Sequence, residues 1–314
     1  MLLAITLLAC LIGASQGICP PEDWIEPYCT CQSHFGDAVM TCSNLYCPDE
    51  LLKPLQMVSV KKYHIFSLQI ENSSLLYIPH NAFKGGNFER IRFFRSEIMS
   101  LSDIDIAFEG LEETLDELRA TEANFVTQWD WQQLRRMNKL RLIDINMINL
   151  GSIDQVFPPL KSLNALGITK AGISYIVDHA FENLSALRIL SLVDNNIEDI
   201  TRNMLPNPAP ELAFLDFSNN EIKTIPKNFF TNMPKLVHVS LTNNKLIVLP
   251  EDTYSWAIQH LEALLVGGNK FVCDCRMRWL IGRRRPYEFT ATCASPRSLA
   301  GQKVGSIEFK EFRC

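Results

Sequence analysis

The 314-residue sequence has no cysteine between Cys47 and Cys273, although it contains 10 cysteines in all. It also has no excess of basic residues, since 30 Lys and Arg stand against 35 Asp and Glu and give a net charge of −5. The chain therefore has no overall basic excess for binding nucleic acid. With 47% hydrophobic and 21% charged residues, the composition is that of a globular protein rather than a disordered one.

The common catalytic and metal-binding motifs are absent as well. The six histidines do not stand in an H-E-x-x-H or similar spacing, and G-x-S-x-G elbows and phosphate-binding glycine loops are missing. Histidines and carboxylates do not cluster in the sequence as metal ligands would. We therefore expect a protein that is not an enzyme and that uses no cofactor and no metal ion.

Long hydrophobic runs are missing beyond Gly17, and the segment that ends there reads MLLAITLLACLIGASQG. An apolar stretch followed by small residues is typical of a secretory signal peptide, although the usual positive charge before it is absent. We expect cleavage after Gly17. The alternative is an N-terminal membrane anchor, for which the run is short because a span needs about 20 residues. We expect a secreted, extracellular protein with no transmembrane segment, in an oxidising compartment.

One apolar pattern fills the cysteine-free centre and recurs nine times. Apolar residues recur at positions i, i+3, i+5, i+10 and i+13, most clearly in the second half of the chain and less perfectly in the earlier copies. The starts are Ile65, Phe88, Leu115, Leu140, Leu163, Leu187, Leu212, Leu236 and Leu261. This even spacing and the order of the apolar residues are those of the leucine-rich repeat, L-x-x-L-x-L-x-x-N-x-L. Asparagine occupies i+8 only in the last four copies, and we expect less regular turns in the earlier ones, where Ser73, Ser96, Ala123, Ile148 and Ala171 stand.

The spacing predicts an α/β fold of the solenoid kind. Residues i+3 and i+5 alternate as in a strand and point inward, while i+2, i+4 and i+6 point outward. Each coil buries its apolar side only by stacking on its neighbours, so a curved parallel β-sheet lines the concave side and an irregular or short helical arc the convex side. An amphipathic helical array is the alternative, and period-two strands between Asn-marked turns disfavour it.

Two cysteine groups flank the repeats, where a solenoid needs caps. The predicted order is a signal peptide (1–17), an N-terminal cap (18–62), repeats (63–271) and a C-terminal cap (272–314). Spacing alone leaves three pairings open for four cysteines, and a zinc site is the alternative for the C-terminal group.

The sequences CPPEDWIEPYCTC and CDCRMRWL resemble the caps of secreted extracellular leucine-rich repeat proteins. The resemblance implies the disulfides Cys19–Cys31, Cys29–Cys42, Cys273–Cys293 and Cys275–Cys314. It also implies a short helix that carries Trp279 and Leu280. Cys47 is then left over, either as a buried free thiol or alternate pairing in the cap, or as an intermolecular disulfide.

The N-terminal cap is also similar to that of arthropod proteins related to the non-catalytic subunit of shrimp-type luciferase. That resemblance implies an auxiliary subunit that stabilises a separate catalytic chain.

Outward positions of the strands supply the candidate binding residues. Exposed apolar side chains beside charged ones often mark interfaces, and the alternative is an ordinary, mutually neutralised surface. The candidates for a protein partner are Arg90, Arg92, Arg119, Leu142, Asp144, Ile189, Phe214, Asp216 and His238.

Two further features fit an extracellular protein. Asn72 and Asn183 stand in glycosylation sequons. The C-terminal cap carries Arg276, Arg278, Arg283, Arg284 and Arg285, which form either the polar face of the cap helix or a weak contact for a sulfated glycan.

The sequence thus predicts a secreted, non-enzymatic module that binds an extracellular protein. The alternative is a soluble recognition protein for a microbial or glycan ligand, and an enzyme with acids converging on the concave face is the third hypothesis.

Overall fold

The computed structural model describes residues 18–123 and 129–312, so the predicted signal peptide and Cys314 lie outside the described residues. The strands are β1 (Cys29–His34), β2 (Asp37–Ser43), β3 (His64–Glu71), β4 (Ser74–Leu75), β5 (Asn87–Phe94), β6 (Glu97–Ile98), β7 (Glu117–Thr121), β8 (Leu142–Asn146), β9 (Ser152–Ile153), β10 (Ala165–Thr169), β11 (Tyr175–Ile176), β12 (Ile189–Ser191), β13 (Phe214–Asp216), β14 (His238–Ser240), β15 (Ala263–Leu265), β16 (Phe271–Val272), β17 (Glu288–Phe289) and β18 (Cys293–Ser295). The α-helices are α1 (Glu22–Ile25), α2 (Pro48–Val60) and α3 (Glu251–His260). The 3-10 helices are Trp131–Leu134, Arg202–Met204, Cys275–Leu280, Val304–Ser306 and Phe309–Glu311.

One 12-stranded sheet runs the length of the described chain, in the order β1-β2-β3-β5-β7-β8-β10-β12-β13-β14-β15-β17. Only the β1–β2 pair is antiparallel, and the other pairs are parallel. Each of the nine predicted copies contributes one of these strands. The predicted leucine-rich repeat solenoid is therefore confirmed.

The core lies between the sheet and the convex arc. In the repeat that begins at Leu187, the side chains at i, i+3 and i+5 are at most 2% exposed. On the convex side Trp131, Phe157 and Phe181 from successive coils form a column, with centroids 4.4 and 5.6 Å apart. Stacking of equivalent side chains buries what a single coil would expose.

The residue at i+7, directly after each strand, has a left-handed backbone in all nine repeats. These residues are Asn72, Arg95, Glu122, Met147, Lys170, Asp194, Asn219, Asn243 and Gly268, with φ between 48° and 73°. The residue at i+7 therefore has the same backbone conformation in coils with and without asparagine at i+8. Gly268 has a steric reason as well, because an added Cβ would lie 1.8 Å from the Asn243 Oδ1.

Asparagine at i+8 fastens each coil to the preceding one. Asn220 is 3% exposed, and its Oδ1 accepts from the backbone N–H of Ile197 at 3.0 Å. Its Nδ2 donates to the carbonyls of Leu192 and Phe217 at 2.8 and 3.0 Å. Asn195, Asn244 and Asn269 make equivalent bonds.

Serine replaces asparagine in two early coils and makes some of the same bonds. The Ser73 Oγ accepts from the N–H of Leu45 at 3.0 Å, and the Ser96 Oγ accepts from the N–H of Ser73 at 3.2 Å. The serine hydroxyl thus also keeps the strand exit bonded to the preceding coil.

The N-terminal cap continues the sheet, because β2 pairs in parallel with β3. Its disulfides are Cys19–Cys31 and Cys29–Cys42, the pairs that the cap resemblance implies. The side chains of β2 also alternate between buried and exposed, as those of the repeats do. The sheet is therefore continuous across the predicted boundary at residue 62.

The C-terminal cap closes the other end with β16, β17 and β18. Cys273 is bonded to Cys293, and Cys275 is also disulfide-bonded. Its expected partner, Cys314, lies outside the described residues. The implied cap helix is the 3-10 helix Cys275–Leu280, from which the Trp279 Nε1 donates to the Leu249 carbonyl at 2.8 Å. In the described ranges, none of the helices has the length and apolar character needed to span a bilayer.

Candidate functional site

Strand register places the outward residues of the repeats in straight rows across the sheet. The i+2 row is Ser67, Arg90, Glu117, Leu142, Ala165, Ile189, Phe214, His238 and Ala263. The i+4 row is Gln69, Arg92, Arg119, Asp144, Gly167, Ser191, Asp216, Ser240 and Leu265. Neighbours in a row are about 4.8 Å apart, so their side chains can touch.

The first half of these rows holds an arginine cluster, which we define as Arg90, Arg92 and Arg119 with the carboxylates of Glu117 and Asp144. Glu117 lies at its centre and is 7% exposed. Its Oε1 accepts from Arg92 at 2.8 Å and from Arg119 at 2.6 Å. Arg119 also reaches Asp144 at 2.9 Å. The cluster is thus a chain of ion pairs that links β5, β7 and β8.

Two opposing effects set the pKa of Glu117. Burial raises the pKa of its carboxyl group, because the charged form loses hydration. Hydrogen bonds from Arg119 and Arg92 favour the charged form, and together with the charges of these arginines they outweigh burial and lower its pKa. Glu117 is therefore a carboxylate at neutral pH, and it compensates part of the arginine charge.

Arg90 is the least engaged member of the arginine cluster. Its Nε lies 3.7 Å from the Glu117 Oε2, and its guanidinium lies 4.1 Å from the centroid of the Phe66 ring. Within the described residues Arg90 donates no hydrogen bond, and its Nε is buried without a partner. The aromatic ring therefore orients a guanidinium whose donors are unused.

The i+2 row also holds an apolar face, which we define as Leu142, Ile189, Phe214 and His238. The Ile189 and Phe214 side chains are adjacent in the register and 41% and 37% exposed. The imidazole of His238 lies beside the Phe214 ring, with centroids 5.8 Å apart. Large apolar side chains exposed at neighbouring positions are typical of surfaces that bind a partner.

The predicted residues thus fall into two groups, with Asp216 outside both. The two groups are the arginine cluster and the apolar face, and Ala165 lies between Leu142 and Ile189 in the row. Asp216 belongs to a third arrangement, because its Oδ1 accepts from the backbone N–H and the Oγ of Ser218. These bonds hold Asp216 to its own strand exit.

Two residues of the site were absent from the sequence-based candidates. Glu117 stands between Arg90 and Leu142 in the same row, so its position was visible in the repeat frame. Phe66 stands at i+1, outside the outward positions of that frame. The structure shows that the Arg90 guanidinium packs on its ring.

Cys47 is the described cysteine that has no disulfide partner, and it is exposed. The expectation of a buried free thiol is therefore wrong. Cys47 precedes α2, and its backbone N–H donates to the Glu50 carboxylate at 3.1 Å. The capping of a surface helix places the thiol at the surface, where a second chain can reach it.

The basic run of the C-terminal cap is largely paired. Arg276 bonds Asp274 at 2.7 Å and Arg283 bonds Glu251 at 2.5 Å, while Arg278 donates to the Phe312 carbonyl. Arg284 is exposed. Three of the five cations therefore have partners within the protein. Among residues 18–123 and 129–312, no group of three His, Cys, Asp or Glu side chains is arranged to hold a metal ion.

Comparisons with known proteins agree with this fold. Residues 210–271 match the Leucine rich repeat family and residues 290–314 the Leucine rich repeat C-terminal domain. The chain is 31% identical over 150 residues to a leucine-rich repeat and fibronectin type III domain-containing protein 1-like protein of Danio rerio, which covers 44% of this chain and 22% of that protein. It is 25% identical over 194 residues to Toll-like receptor 2 type-2 of Gallus gallus, which covers 58% of this chain and 23% of the receptor.

A solved structure has the same fold over most of this chain. The structure is titled as an octameric complex of Latrophilin 3, Unc5D and FLRT2 (LRR), and the match has a TM-score of 0.59 at 18% identity. The match covers 84% of this chain and 89% of that one. The chain spans less than a quarter of the length of the two curated relatives named above.

Proposed function

We propose that the chain is a secreted, non-enzymatic binding module that captures an extracellular protein on its concave sheet. The observation that carries the proposal is the apolar face, where Ile189 and Phe214 lie exposed on the neighbouring strands β12 and β13. Large apolar side chains in the centre of a patch with a polar and charged surround are the usual anchors of protein interfaces. The receptor relative supports a recognition role.

A finer version of this function is an auxiliary, non-catalytic subunit that stabilises a separate chain, such as that of a luciferase. The cap sequence CPPEDWIEPYCTC supports it. The disulfides at both ends, the predicted signal peptide and the exposed sequon residues Asn72 and Asn183 support secretion and glycosylation.

A second candidate function is the recognition of a microbial or glycan ligand, which the similarity to a Toll-like receptor favours. Purification of the native protein separates the two. A stoichiometric protein partner supports the subunit, whereas retention on a cell-wall or glycan resin supports the recognition protein. Among the five arginines of the basic run, the pairing of the other three leaves Arg284 and Arg285 for a sulfated glycan.

Polar substitution of the apolar face tests the proposed function. In the variant Ile189→Ser, Phe214→Ser we expect capture of the native partner to weaken at least about tenfold, because anchor residues each contribute about 1 kcal/mol or more. The midpoint of thermal unfolding should stay within about 2 °C, since both side chains are partly solvated in the free protein. Co-purification from the secreting cells and calorimetry measure the two effects.

Ile247→Ser is the matched control for this variant. Ile247 is 48% exposed but lies outside the two outward rows, so its substitution should leave capture unchanged. Capture that survives the double substitution would overturn the assignment of the concave face.

Cys47 provides a separate test of whether the secreted protein is linked to another chain. We expect the protein to migrate at higher mass on a non-reducing gel and at monomer mass after reduction, because an exposed thiol in an oxidising compartment pairs readily. The Cys47→Ser variant should be monomeric in both lanes. If the unaltered protein migrated as a monomer without reductant, the hypothesis of an intermolecular disulfide at Cys47 would be wrong.

A further inference from the structure

Several surface charges of this solenoid are matched one to one across neighbouring coils. Lys223 pairs with Glu198 at 2.5 Å, Lys235 with Glu211 at 2.6 Å and Lys245 with Glu221 at 3.3 Å. The two partners of each pair stand one repeat apart in the sequence. In each of these pairs, one cation is neutralised by one carboxylate.

The arginine cluster departs from this pattern, because three arginines share two carboxylates. Arg92 and Arg119 donate to the carboxylates of Glu117 and Asp144. The closest approach of Arg90 to a carboxylate is longer, so its positive charge is the least compensated of the three. Its guanidinium rests on Phe66 and donates no hydrogen bond within the described chain. A partly exposed arginine held on an aromatic ring is pre-organised to form two parallel hydrogen bonds with a carboxylate.

The unused arginine and the apolar face lie in the same row of the sheet. Arg90 stands on β5 and Ile189 on β12, with Glu117, Leu142 and Ala165 between them. Four strand steps of about 4.8 Å separate the two side chains by about 19 Å. An extended partner segment covers that distance in about six residues.

We propose that Arg90 binds a carboxylate side chain of the protein partner, about 19 Å from the position where the same partner places an apolar side chain on Ile189 and Phe214. This inference rests on the proposed function and names the chemistry of the partner. A protein carboxylate fits better than a sulfated glycan, because the site has one unused guanidinium beside an apolar row, whereas polyanions require several free cations.

A double-mutant cycle between a peptide and the protein isolates this contact. The probe is a fluorescein-labelled peptide with two glutamates at one end, two phenylalanines at the other, and six alternating serines and glycines between them. A second peptide has glutamines in place of the glutamates. Fluorescence anisotropy gives the affinities of both peptides for the unaltered protein, Arg90→Gln and the control Arg136→Gln, in which an exposed arginine outside the two rows is changed.

We expect the unaltered protein and Arg136→Gln to prefer the glutamate peptide by about tenfold, and Arg90→Gln to show no preference, because only Arg90 faces the carboxylates. The preference should shrink as sodium chloride is added, since salt screens the contact of a partly exposed charge. An equal preference in Arg90→Gln, or no preference or no binding in the unaltered protein, would overturn the inference.

Two further outcomes separate this inference from the proposed function and from a glycan ligand. If Ile189→Ser weakens both peptides equally and the glutamate preference is absent, the carboxylate contact is wrong and the apolar anchor stands. If a heparin hexasaccharide binds the unaltered protein and not Arg90→Gln while the glutamate peptide does not bind, the site takes sulfate and the inference is also overturned.

Discussion

Replacement of Asn220 by alanine is expected to lower the free energy of unfolding by about 3 kcal/mol, because it strips partners from buried backbone groups. The Ile197 N–H would lose its acceptor, and the carbonyls of Leu192 and Phe217 would lose a donor. Each buried group left unsatisfied costs about 1–3 kcal/mol, and the alanine also leaves a small cavity. Urea denaturation at neutral pH measures the change.

Asn196→Ala is the matched control for this prediction. Asn196 is the next residue after the equivalent asparagine of the preceding coil, and its side chain is exposed. We expect a change below about 0.5 kcal/mol, as for most surface substitutions. If the two variants were equally stable, the asparagines at i+8 would not be what fastens the coils.

The Glu117→Gln variant is expected to lose about 2 kcal/mol of stability at neutral pH, less than the loss of a fully buried ion pair. The substitution removes the negative charge from the centre of the arginine cluster. Arg90 and Arg92 then lose the carboxylate that compensates their positive charges. Breaking a fully buried pair costs about 3–5 kcal/mol, and the smaller figure reflects that the arginines are partly exposed and hence screened. Glu122→Gln, which breaks the exposed pair with Arg95, should cost about 0.5 kcal/mol.

Acid should remove the difference between the Glu117→Gln variant and the unaltered protein. The folded pKa of Glu117 is lower than its ordinary value of 4.5, so its contribution is fully present above that value. The contribution is lost as the pH falls below 4.5 and through the folded pKa, because the carboxyl group then takes up a proton in both states. Denaturation curves at neutral and at acidic pH would reveal this convergence. A difference that stayed constant with pH would assign the loss to packing.

The period of the apolar pattern predicted the sheet and its rows. Because the repeat length varies little, equivalent residues such as Arg90 and Leu142 fall into register, and their row could be read from the sequence. Ion pairs within the rows depend on how far side chains reach across neighbouring strands. The repeat pattern therefore did not predict that Glu117 binds both Arg92 and Arg119.

Other features had no sequence signal in the repeat frame. The left-handed residue at i+7 is Asn, Arg, Glu, Met, Lys, Asp or Gly in different coils, so the residue type does not predict the backbone conformation. Stacking of the coils imposes that conformation on residues that would avoid it alone. The contact between Phe66 and Arg90 was not predictable either, because position i+1 has no fixed orientation in the pattern.

The direction of β1 limits how copies of this molecule can assemble. A stack of parallel strands could in principle continue from one molecule into the next and build a filament, because every exposed edge is a template for another strand. At one end β1 runs against the strand that follows it, and at the other end β17 is only two residues long. A further strand at the β1 edge would meet a strand that runs opposite to the rest of the sheet, whereas one at the β17 edge would find only two residues to pair with. The two described edges therefore offer different templates, and the exposed thiol of Cys47 is a third place at which another chain can be joined.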